Sequence, residues 1–291
     1  MRRWSFAKGH GTENDFVLIQ DREDTLGVDE ATVRAICDRH TGVGADGLLR
    51  AVKAKHIEGW DGDGDVWFMD YRNADGSVAE MCGNGLRVFV RYLLDEGLAT
   101  GPTLDIGTRI GLLPTTALPD GRVRVSMGPV TVGSDDVKVT TSTGVSYLAT
   151  GVDVGNPHAV SFEDDLDGLD LSVAPTWSPA EAFPAGANLE FVRIVAQRHI
   201  AMRVFERGVG ETRSCGTGTV AAAAAAARRD GHPGPGPDTA APALTYRVDV
   251  LGGSVEVELG AEGAFLTGPA VVFAHGEMTL DVERTRQRPA G

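Results

Sequence analysis

Residues 214–231 read SCGTGTVAAAAAAARRDG, a cysteine in a Gly-rich turn followed by seven consecutive alanines. Alanine favours helix, and Arg228, Arg229 and Gly231 stand where a helix C-terminus favours basic side chains and a left-handed glycine. A surface helix would carry charged side chains on one face, but the seven alanines offer none. We therefore predict a helix that is buried on all sides and whose small side chains let strands approach its backbone closely.

A second copy of this arrangement occurs earlier in the chain. Residues 68–97, FMDYRNADGSVAEMCGNGLRVFVRYLLDEG, and residues 201–231, AMRVFERGVGETRSCGTGTVAAAAAAARRDG, each predict a strand, a turn and then Cys-Gly-x-Gly at the start of a helix. Cys82 and Cys215 occupy matching positions, 133 residues apart. Upstream, GTENDFVLI in one copy is echoed by VGNPHAVSF in the other. The chain is therefore predicted to contain the same structural unit twice.

Short β-rich runs separated by Gly or Asp occupy most of the chain, among them FVLIQD, VWFMDYR, VKVTTS and SVEVEL. Two more helices are predicted, one after the N-cap residue Asp29 and one beginning at Ser178 and Pro179, at corresponding places in the two copies. The first of these carries Cys37 on its apolar face, which favours a buried structural thiol. We predict an α+β fold with two pseudo-symmetric halves, each a strand-rich, barrel-like sheet around a central helix.

The repeat also predicts the boundaries of the two halves. Residues 1–128 together with 275–291 are expected to form the N-terminal half, which carries Cys82. Residues 129–274 are expected to form the C-terminal half, which carries Cys215. The active site is expected in the cleft between them.

Composition excludes several classes of protein. The chain has 41 acidic and 27 basic residues among 291, a net charge of -14, and nucleic acid repels such a surface. No apolar stretch approaches the eighteen residues of a membrane span, and the N-terminus has no signal-peptide core, so a cytoplasmic protein without a membrane partner is expected. Three cysteines form neither a disulfide framework nor a paired CxxC zinc site.

Two motifs that resemble ligand sites lack the context that those sites need. GVGADG at residues 42–47 matches G-x-G-x-x-G but follows a helix rather than a strand, which argues against a dinucleotide site. DGDGD at residues 61–65 resembles the start of a calcium loop, but Arg72 stands where that loop requires a glutamate. The Pro- and Gly-rich residues 230–242 and the tail 285–291 are predicted to be loop segments.

The paired Cys-Gly-x-Gly turns carry a more specific chemistry. Each places a sulfur at a helix N-terminus, where unsatisfied N–H groups and the positive end of the dipole are expected to lower the pKa of the thiol from about 8.5. The same N–H groups can hold a carboxylate. If both thiols reach one cleft, Cys82 and Cys215 can remove a proton from one face of a carbon and return one to the other face. We therefore predict a two-base stereoinversion, with fixed dipoles stabilising the developing enolate.

Further polar residues at strand ends or in turns are candidates for the same cleft. Turn asparagines are also common for structural reasons, and the Glu206-Arg207 pair has a surface ion pair as its alternative, although Arg grips a carboxylate well. The candidates are Asn14, Asn73, Asn156, His158, Asn188, Glu206 and Arg207.

At these residues the sequence resembles the diaminopimelate epimerase family. The matching segments are GTENDFV, RHTGVGADG, NADGSVAEMCGNGLR, GNPHAV, GANLEFV, FERGVGETRSCGTGT and GPAVVF, in order and across nearly the whole chain. Proline racemases and hydroxyproline epimerases share the fold but typically place a histidine after Cys-Gly, where this chain has Asn84. The resemblance implies the diaminopimelate epimerase-like fold and interconversion of LL- and meso-2,6-diaminoheptanedioate, in lysine and peptidoglycan biosynthesis, with no pyridoxal phosphate and no metal.

The resemblance also implies roles for individual residues. Cys215 would accept the proton of the LL substrate as a thiolate, and Cys82 would donate one as a thiol. His158 and Glu206 would assist the chemistry, and Arg207 would hold the distal carboxylate. The substrate contacts implied by the family motifs are Asn14, Asn73, Gly83, Asn84, Asn156, Asn188, Glu206, Arg207, Gly216 and Thr217.

This chain departs from the family at two places. Many members have Gln where Gly47 follows the Asp of the GxGxD motif, so one polar contact is missing or replaced by water. The resemblance implies a homodimer, but the tyrosine that many dimeric members carry near the final strand has no counterpart in GPAVVFAHGEM.

Three other functions remain open at the level of sequence. A racemase or epimerase of another amino or hydroxy acid would keep both thiols without a second carboxylate grip. A thiol redox protein would cycle Cys82 and Cys215 through a disulfide. A ligand-binding module would bind without exchanging protons.

Overall fold

The structure is a computed structural model that describes residues 2–134, 136–232 and 242–280. The predicted loop within residues 230–242 falls mainly on residues that lie outside this described part, as does the predicted loop segment 285–291.

The chain divides into two compact units. One comprises Met1–Val125 with Pro269–Gly291, and the other comprises Ser126–Gly268. The boundaries predicted from the sequence for the two halves, after residues 128 and 274, stay a prediction.

In its described residues, the first unit contains two α-helices, a 3₁₀ helix (Ala54–His56) and several strands. Its elements are β1 (Arg2–Gly11), β2 (Asn14–Gln20), α1 (Glu30–Cys37), β3 (Gly47–Lys53), β4 (Trp67–Asn73), α2 (Gly83–Asp95), β5 (Thr103–Thr108), β6 (Gly111–Ala117) and β19 (Val271–Leu280). Strand β7 (Val123–Gly128) runs across the boundary between the units.

The second unit contains one α-helix and a sheet in its described residues. Its elements are β8 (Thr131–Val132), β9 (Val137–Thr140), β10 (Ser146–Asp153), β11 (Pro157–Phe162), β12 (Thr176–Ser178), β13 (Asn188–Ala196), β14 (His199–Glu206), β15 (Gly210–Thr212), α3 (Gly216–Arg229), β16 (Leu244–Val250), β17 (Gly253–Gly260) and β18 (Gly263–Gly268).

The strand pairings within the two units repeat one topology. In the first unit β1–β2, β3–β4 and β5–β6 are antiparallel, while β2–β3 and β4–β5 are parallel. In the second unit β10–β11, β13–β14 and β16–β17 are antiparallel, while β11–β13 and β14–β16 are parallel. Parallel neighbours need a crossover, and α2 and α3 supply the second crossover of each unit. The prediction of an α+β fold with two repeated halves is confirmed.

Helix α3 is enclosed by its own unit. All seven alanines, Ala221 to Ala227, are at most 3% exposed, and the helix contacts β8, β10, β11, β13, β14, β16, β17 and β18. The prediction of a helix buried on all sides is confirmed, because methyl side chains leave room for strands on every face.

Helix α2 reaches the same close packing in the opposite way. Its face carries bulky side chains such as Leu86, Phe89 and Leu93, which are fully buried against β1, β2, β3, β4, β6 and β19. Here the small residue that allows close packing belongs to the neighbouring strand β1 and not to the helix. A Cβ atom on Gly9 of β1 would lie 2.6 Å from a backbone oxygen of β19 and 2.9 Å from Val88 of α2. Small residues on either partner therefore allow a helix to lie inside a sheet.

The predicted helix at Ser178 and Pro179 is wrong. The structure has a three-residue 3₁₀ turn there, Ala180–Ala182. Phe183 precedes Pro184, and a residue before proline is pushed out of the α region, so the chain cannot extend the turn into a helix. Phe183 accordingly has φ -138° and ψ 74°.

Packing around α3 predicts the effect of a larger side chain there. Ala224→Leu adds three carbon atoms to a helix face without free volume, and we expect it to lower the free energy of unfolding by about 1–3 kcal/mol. Urea denaturation measures the change. Arg228→Leu, at an exposed position of the same helix, is the matched control and should shift it by less than about 1 kcal/mol. Equal losses in both variants would contradict the packing argument.

Candidate active site

Cys82 caps the first helical turn of α2. Its backbone is extended, with φ -143° and ψ 116°, and its sulfur accepts a hydrogen bond from the N–H of Gly85 at 3.4 Å. The sulfur thus satisfies one of the N–H groups that a helix N-terminus leaves without a helical partner. Gly85 also allows Leu49 and Phe16 to pack against the turn, because a Cβ atom on it would lie 3.3–3.4 Å from their side chains.

A network of amides surrounds the Cys82 sulfur. Asn14 Oδ1 accepts from the Cys82 thiol at 3.7 Å and from Asn84 Nδ2 at 3.3 Å. Asn14 Nδ2 in turn donates to Asp46 Oδ2 at 2.9 Å. Two of the predicted substrate contacts, Asn14 and Asn84, therefore lie beside Cys82.

Arg87 is a buried cation one turn further along α2. Its guanidinium donates to Asn84 Oδ1 at 3.0 Å, to Thr12 Oγ1 at 3.3 Å and to the carbonyl of Gly83 at 3.4 Å. Burial lowers the pKa of Arg87 to about 10, and interaction with Cys82 opposes this change. Arg87 therefore fixes the Asn84 side chain and places a positive charge under the helix N-terminus.

Asn73 ends β4 in a tight turn. The backbone N–H of Gly76 donates to the carbonyl of Asn73 at 2.9 Å, Gly76 has φ +90°, and Asn73 Nδ2 donates to Ser77 Oγ at 3.0 Å. The side chain of Asn73 is therefore engaged within its own turn, as the structural alternative for this asparagine predicts.

Gly47 pairs with Asn73 across β3 and β4. A Cβ atom on Gly47 would lie 2.6 Å from the carbonyl oxygen of Arg72 and 2.8 Å from the ring of Tyr71. The close approach of β4 explains why this position takes glycine in this chain, where many members of the resembled family have Gln.

Cys215 caps α3 as Cys82 caps α2. Its φ and ψ are -120° and 118°, and its sulfur accepts from the N–H of Gly218 at 3.4 Å. Thr217 Oγ1 lies 3.6 Å from the same sulfur. Both predicted cysteines therefore stand at helix N-termini in matching geometry, which is the arrangement that the repeat indicated.

The surroundings of Cys215 raise its pKa. Burial is the largest cause, and the charges of Glu206 and Glu190 add to it, whereas hydrogen bonds from Thr217 and from the N–H of Gly218 act in the opposite direction. The prediction of a lowered thiol pKa is wrong for Cys215, because desolvation and two carboxylates outweigh the helix N-terminus. These surroundings therefore favour the thiol form of Cys215 over the thiolate.

Glu206 lies at the end of β14, beside Cys215. Its carboxylate accepts hydrogen bonds from the hydroxyl of Thr212 and from Cys215. Burial raises the pKa of Glu206, and these hydrogen bonds oppose the rise. A carboxylate with a raised pKa that contacts a thiol can take up the thiol proton.

His158 lies at the start of β11 and is fully buried. Its Nδ1 is 2.7 Å from Glu190 Oε1 and its Nε2 is 2.9 Å from Asn156 Oδ1. His158 therefore lies between a buried carboxylate and an amide. Asn156 Nδ2 donates to Thr217 Oγ1 at 3.5 Å, so His158 is connected to the Cys215 turn through Asn156.

Asn188 begins β13, and Arg207 follows the end of the neighbouring strand β14. Asn188 Oδ1 accepts from the backbone N–H of Arg207 at 3.0 Å. The guanidinium of Arg207 is exposed and donates to the carbonyls of Ala185 at 3.0 Å and Gly186 at 3.5 Å. Glu206 and Arg207 thus point to different partners and do not form the surface ion pair that is the alternative for them.

Three charged residues near these two helix N-termini were not predicted from the sequence: Asp46, Arg87 and Glu190. Glu190 is fully buried inside β13, its Oε2 has no hydrogen-bond partner, and its Oε1 lies 2.6 Å from where a Cβ atom on Gly218 would stand. A charged residue within an apolar strand, as in GANLEFV, or on the buried face of a helix, as in MCGNGLR, was the available signal.

The described residues also limit other kinds of site. Within residues 2–134, 136–232 and 242–280, no group of three or more His, Cys, Asp or Glu side chains is placed to hold a metal ion. No helix of the described part is long and apolar enough to cross a membrane. Cys37 is 3% exposed, and burial raises its pKa to about 12, as expected for a structural thiol.

Each helix N-terminus can bind a carboxylate and present a sulfur to it. Backbone N–H groups at a helix N-terminus attract anions, and the sulfur is held on the same turn. Cys82 faces an amide oxygen and a buried arginine, whereas Cys215 faces a carboxylate. The two thiols are therefore placed in chemically different surroundings.

The sequence of this chain is similar to the sequences of known proteins. The family model for diaminopimelate epimerase matches residues 6–133 and 150–273. A diaminopimelate epimerase from Streptomyces coelicolor is 49% identical, with 94% of this chain and 95% of that protein covered. One from Thermobifida fusca is 47% identical, with 96% and 99% covered.

Solved structures share the fold at much lower identity. A phenazine biosynthesis protein of the PhzF family from Bacillus anthracis has a TM-score of 0.69 at 16% identity, covering 96% of this chain and all of that chain. A hydroxyproline epimerase from Agrobacterium vitis has a TM-score of 0.67 at 16% identity, covering 96% and 93%. The family match spans both repeats and both cysteine turns, and the chain therefore belongs to the diaminopimelate epimerase family.

Proposed function

We propose that this protein is a cofactor-independent diaminopimelate epimerase, which interconverts LL- and meso-2,6-diaminoheptanedioate in lysine and peptidoglycan biosynthesis. Membership of the family supports the substrate. The observation that carries the proposal is the pair of cysteine-capped helix N-termini at equivalent places in the two repeats. The cytoplasmic location and the homodimer that were expected from the sequence also stand as proposals.

The proposed reaction moves one proton off the α-carbon and another onto it. In the LL to meso direction the Cys215 thiolate takes the α-proton, and the electron pair of the C–H bond passes into the carboxylate as an enolate. The Cys82 thiol then gives its proton to the opposite face, which inverts the centre and leaves a thiolate. The reverse direction exchanges the two roles. This mechanism requires that both sulfurs reach one substrate carbon.

Cys215 must lose its proton before it can act as the base. Its pKa is raised in the protein without substrate, so a neighbouring acceptor is needed. Glu206 fits this role because its carboxylate accepts a hydrogen bond from Cys215 and its own pKa is raised. Glu206 thus assists the chemistry, and His158 acts beside it through Asn156.

The developing enolate needs a preorganised positive environment. N–H groups of Gly83 and Asn84 in α2, and of Gly216 and Thr217 in α3, belong to the first turns of the two capped helices. Fixed dipoles of this kind stabilise a carboxylate that gains negative charge, and they do so without reorganising. We assign these four residues to the reacting carboxylate, and Asn14, Asn73, Asn156 and Asn188 to the remaining polar groups of the substrate.

Arg207 is the proposed partner of the distal carboxylate. Its exposed guanidinium donates to two backbone carbonyls, and its backbone N–H donates to the side chain of Asn188. A second carboxylate distinguishes diaminopimelate from monocarboxylic amino acids, so Arg207 is where the specificity of the proposed site lies.

Proton exchange tests the proposed reaction. With LL-diaminopimelate and reductant in deuterated water, we expect loss of the α-proton and appearance of the meso isomer, followed by NMR. Cys82→Ala and Cys215→Ala should each reduce epimerisation at least about a thousandfold, because each removes a group that transfers a proton. Cys37→Ala is the matched control and should keep most of the activity. Absence of exchange in the parent protein would reject the function, and full turnover that requires an oxidised Cys82–Cys215 pair would favour a redox protein.

Arg207→Ala tests the distal carboxylate. We expect KM for LL-diaminopimelate to rise at least about tenfold, since a charge-assisted bidentate contact contributes roughly 1.5–3 kcal/mol. Arg193→Ala, another exposed arginine of the same unit, controls for loss of positive charge and should leave KM close to the parent value. Initial rates over a range of substrate concentrations give both values. An unchanged KM in Arg207→Ala would remove this residue from the site.

Glu206→Gln separates charge from proton transfer. Loss of the negative charge should lower the pKa of Cys215, since Glu206 raises it, so alkylation of Cys215 by iodoacetamide should reach its half-maximal rate at a lower pH. Epimerisation should fall nevertheless, because the amide cannot accept the thiol proton. Glu211→Gln, at a carboxylate nearby in sequence that is paired with Arg203, is the control. A half-maximal pH that stays constant or rises in Glu206→Gln would contradict this role.

A further inference from the structure

Asp46 is a charged residue of the GVGADG motif that the proposed reaction does not use. It precedes β3, and its Oδ2 accepts from Asn14 Nδ2 at 2.9 Å and from the backbone N–H of Asp15 at 3.1 Å. Its Oδ1 accepts from Arg39 Nη2 at 2.7 Å. Arg39 also binds the carboxylate of Asp15, at 2.7 Å. Asp46 is thus held from three directions while it contacts the Asn14 amide.

This contact decides which way the Asn14 amide is turned. A carboxylate oxygen accepts hydrogen bonds and cannot donate one, so the NH₂ group of Asn14 must face Asp46. The amide oxygen then faces α2, where it accepts from Asn84 Nδ2 at 3.3 Å and from the thiol of Cys82 at 3.7 Å. An acceptor beside a sulfur stabilises the thiol and disfavours the thiolate.

The equivalent asparagine of the other repeat is turned the opposite way. Asn156 Oδ1 lies 2.9 Å from His158 Nε2, and Asn156 Nδ2 faces the hydroxyl of Thr217, which lies 3.6 Å from the Cys215 sulfur. The partner behind each asparagine differs in kind: a carboxylate lies behind Asn14 and an imidazole lies behind Asn156. The two repeats therefore present opposite ends of an amide toward their cysteine turns.

We propose that Asp46 is a positioning residue that fixes the orientation of the Asn14 amide and thereby keeps Cys82 in the thiol form. Cys82 then starts the LL to meso direction with the proton that it must donate. The assignment of this proton to catalysis rests on the proposed epimerase function, whereas the effect of Asp46 on the thiol does not.

Other charges near Cys82 have to be separated from this effect. The hydrogen bonds among Asn14, Asn84 and Cys82 have several charged side chains near them. These side chains belong to β1, β2, the segment between α1 and β3, and α2. A further charged pair lies at the C-terminal end of α2, where it meets β19. They are Lys8, Asp15, Arg39, Asp46, Arg87, and the pair of Glu96 with His275. Loss of any negative charge here lowers a thiol pKa, so the test needs a control that removes one charge without removing a hydrogen bond of the Asn14 side chain.

Site-resolved alkylation measures the three thiols independently. Trypsin is expected to place Cys37, Cys82 and Cys215 on separate peptides, residues 35–39, 73–87 and 214–228. Iodoacetamide reacts with thiolates, so the rate at each peptide as a function of pH reports that thiol. Cys37 is buried and serves as an internal monitor, because it becomes reactive when the fold is lost.

Asp46→Asn is the central variant. The new amide can donate to Asn14 Oδ1, which lets the Asn14 amide turn its NH₂ group toward the sulfur. We expect the half-maximal pH of Cys82 alkylation to fall by about one unit, equal to a roughly tenfold faster reaction below that pH. Asp15→Asn removes the same charge from the other carboxylate that binds Arg39, and its shift should be clearly smaller. Equal shifts in the two variants, or none in Asp46→Asn, would overturn the proposal.

Two further variants keep the proposal testable if Asp46→Asn exposes Cys37. Asn14→Ala removes the acceptor from the sulfur and should also lower the half-maximal pH, whereas Asp46→Glu keeps an acceptor and should stay near the parent profile. An unchanged profile in Asn14→Ala would contradict the proposal. Alkylation needs no substrate, so absence of diaminopimelate exchange in the parent protein would reject the proposed function and leave this result standing.

Discussion

A hydrogen bond from a backbone N–H of the first helical turn to a cysteine sulfur places a cysteine side chain in the same way in both repeats. Gly85 donates to Cys82 and Gly218 donates to Cys215, each at 3.4 Å. Each sulfur is thereby held at a helix N-terminus, on the same turn as the N–H groups that can bind an anion. A Cβ atom on Gly218 would lie 2.6 Å from the Glu190 carboxylate, so a larger residue at this position would displace Glu190.

The same capped helix produces two different thiols because its surroundings differ. Around Cys82 the neighbours are amides and the buried Arg87, whereas around Cys215 they are the carboxylates of Glu206 and Glu190. A reaction that runs in both directions through two bases needs a thiol and a thiolate at each stage. The two equivalent turns therefore need different chemical surroundings if they are to support this reaction.

Local patterns predicted most of the fold, and the failures have identifiable physical causes. The capped helix after Asp29, the helices after Cys82 and Cys215, and the repeat were all predicted, because caps and periodicity depend on neighbouring residues. The third predicted helix became a 3₁₀ turn because Pro184 follows too closely. The lowered pKa predicted for Cys215 was wrong because a helix N-terminus is a local effect, while burial and the charges of two carboxylates depend on distant strands.

The sequence by itself determined that a cysteine begins each of two equivalent helices, since a repeated Cys-Gly-x-Gly followed by a helical pattern needs no knowledge of distant contacts. It also determined the family through motifs spread along the chain. The tertiary structure decided which way the Asn14 and Asn156 amides face, and that Glu190 lies buried against His158. Asp46 contacts Asn14, and Glu190 contacts His158. In each pair the two residues are 32 positions apart in the sequence. Hydrogen-bond direction and desolvation are set by what surrounds a side chain in space, and sequence spacing does not encode them.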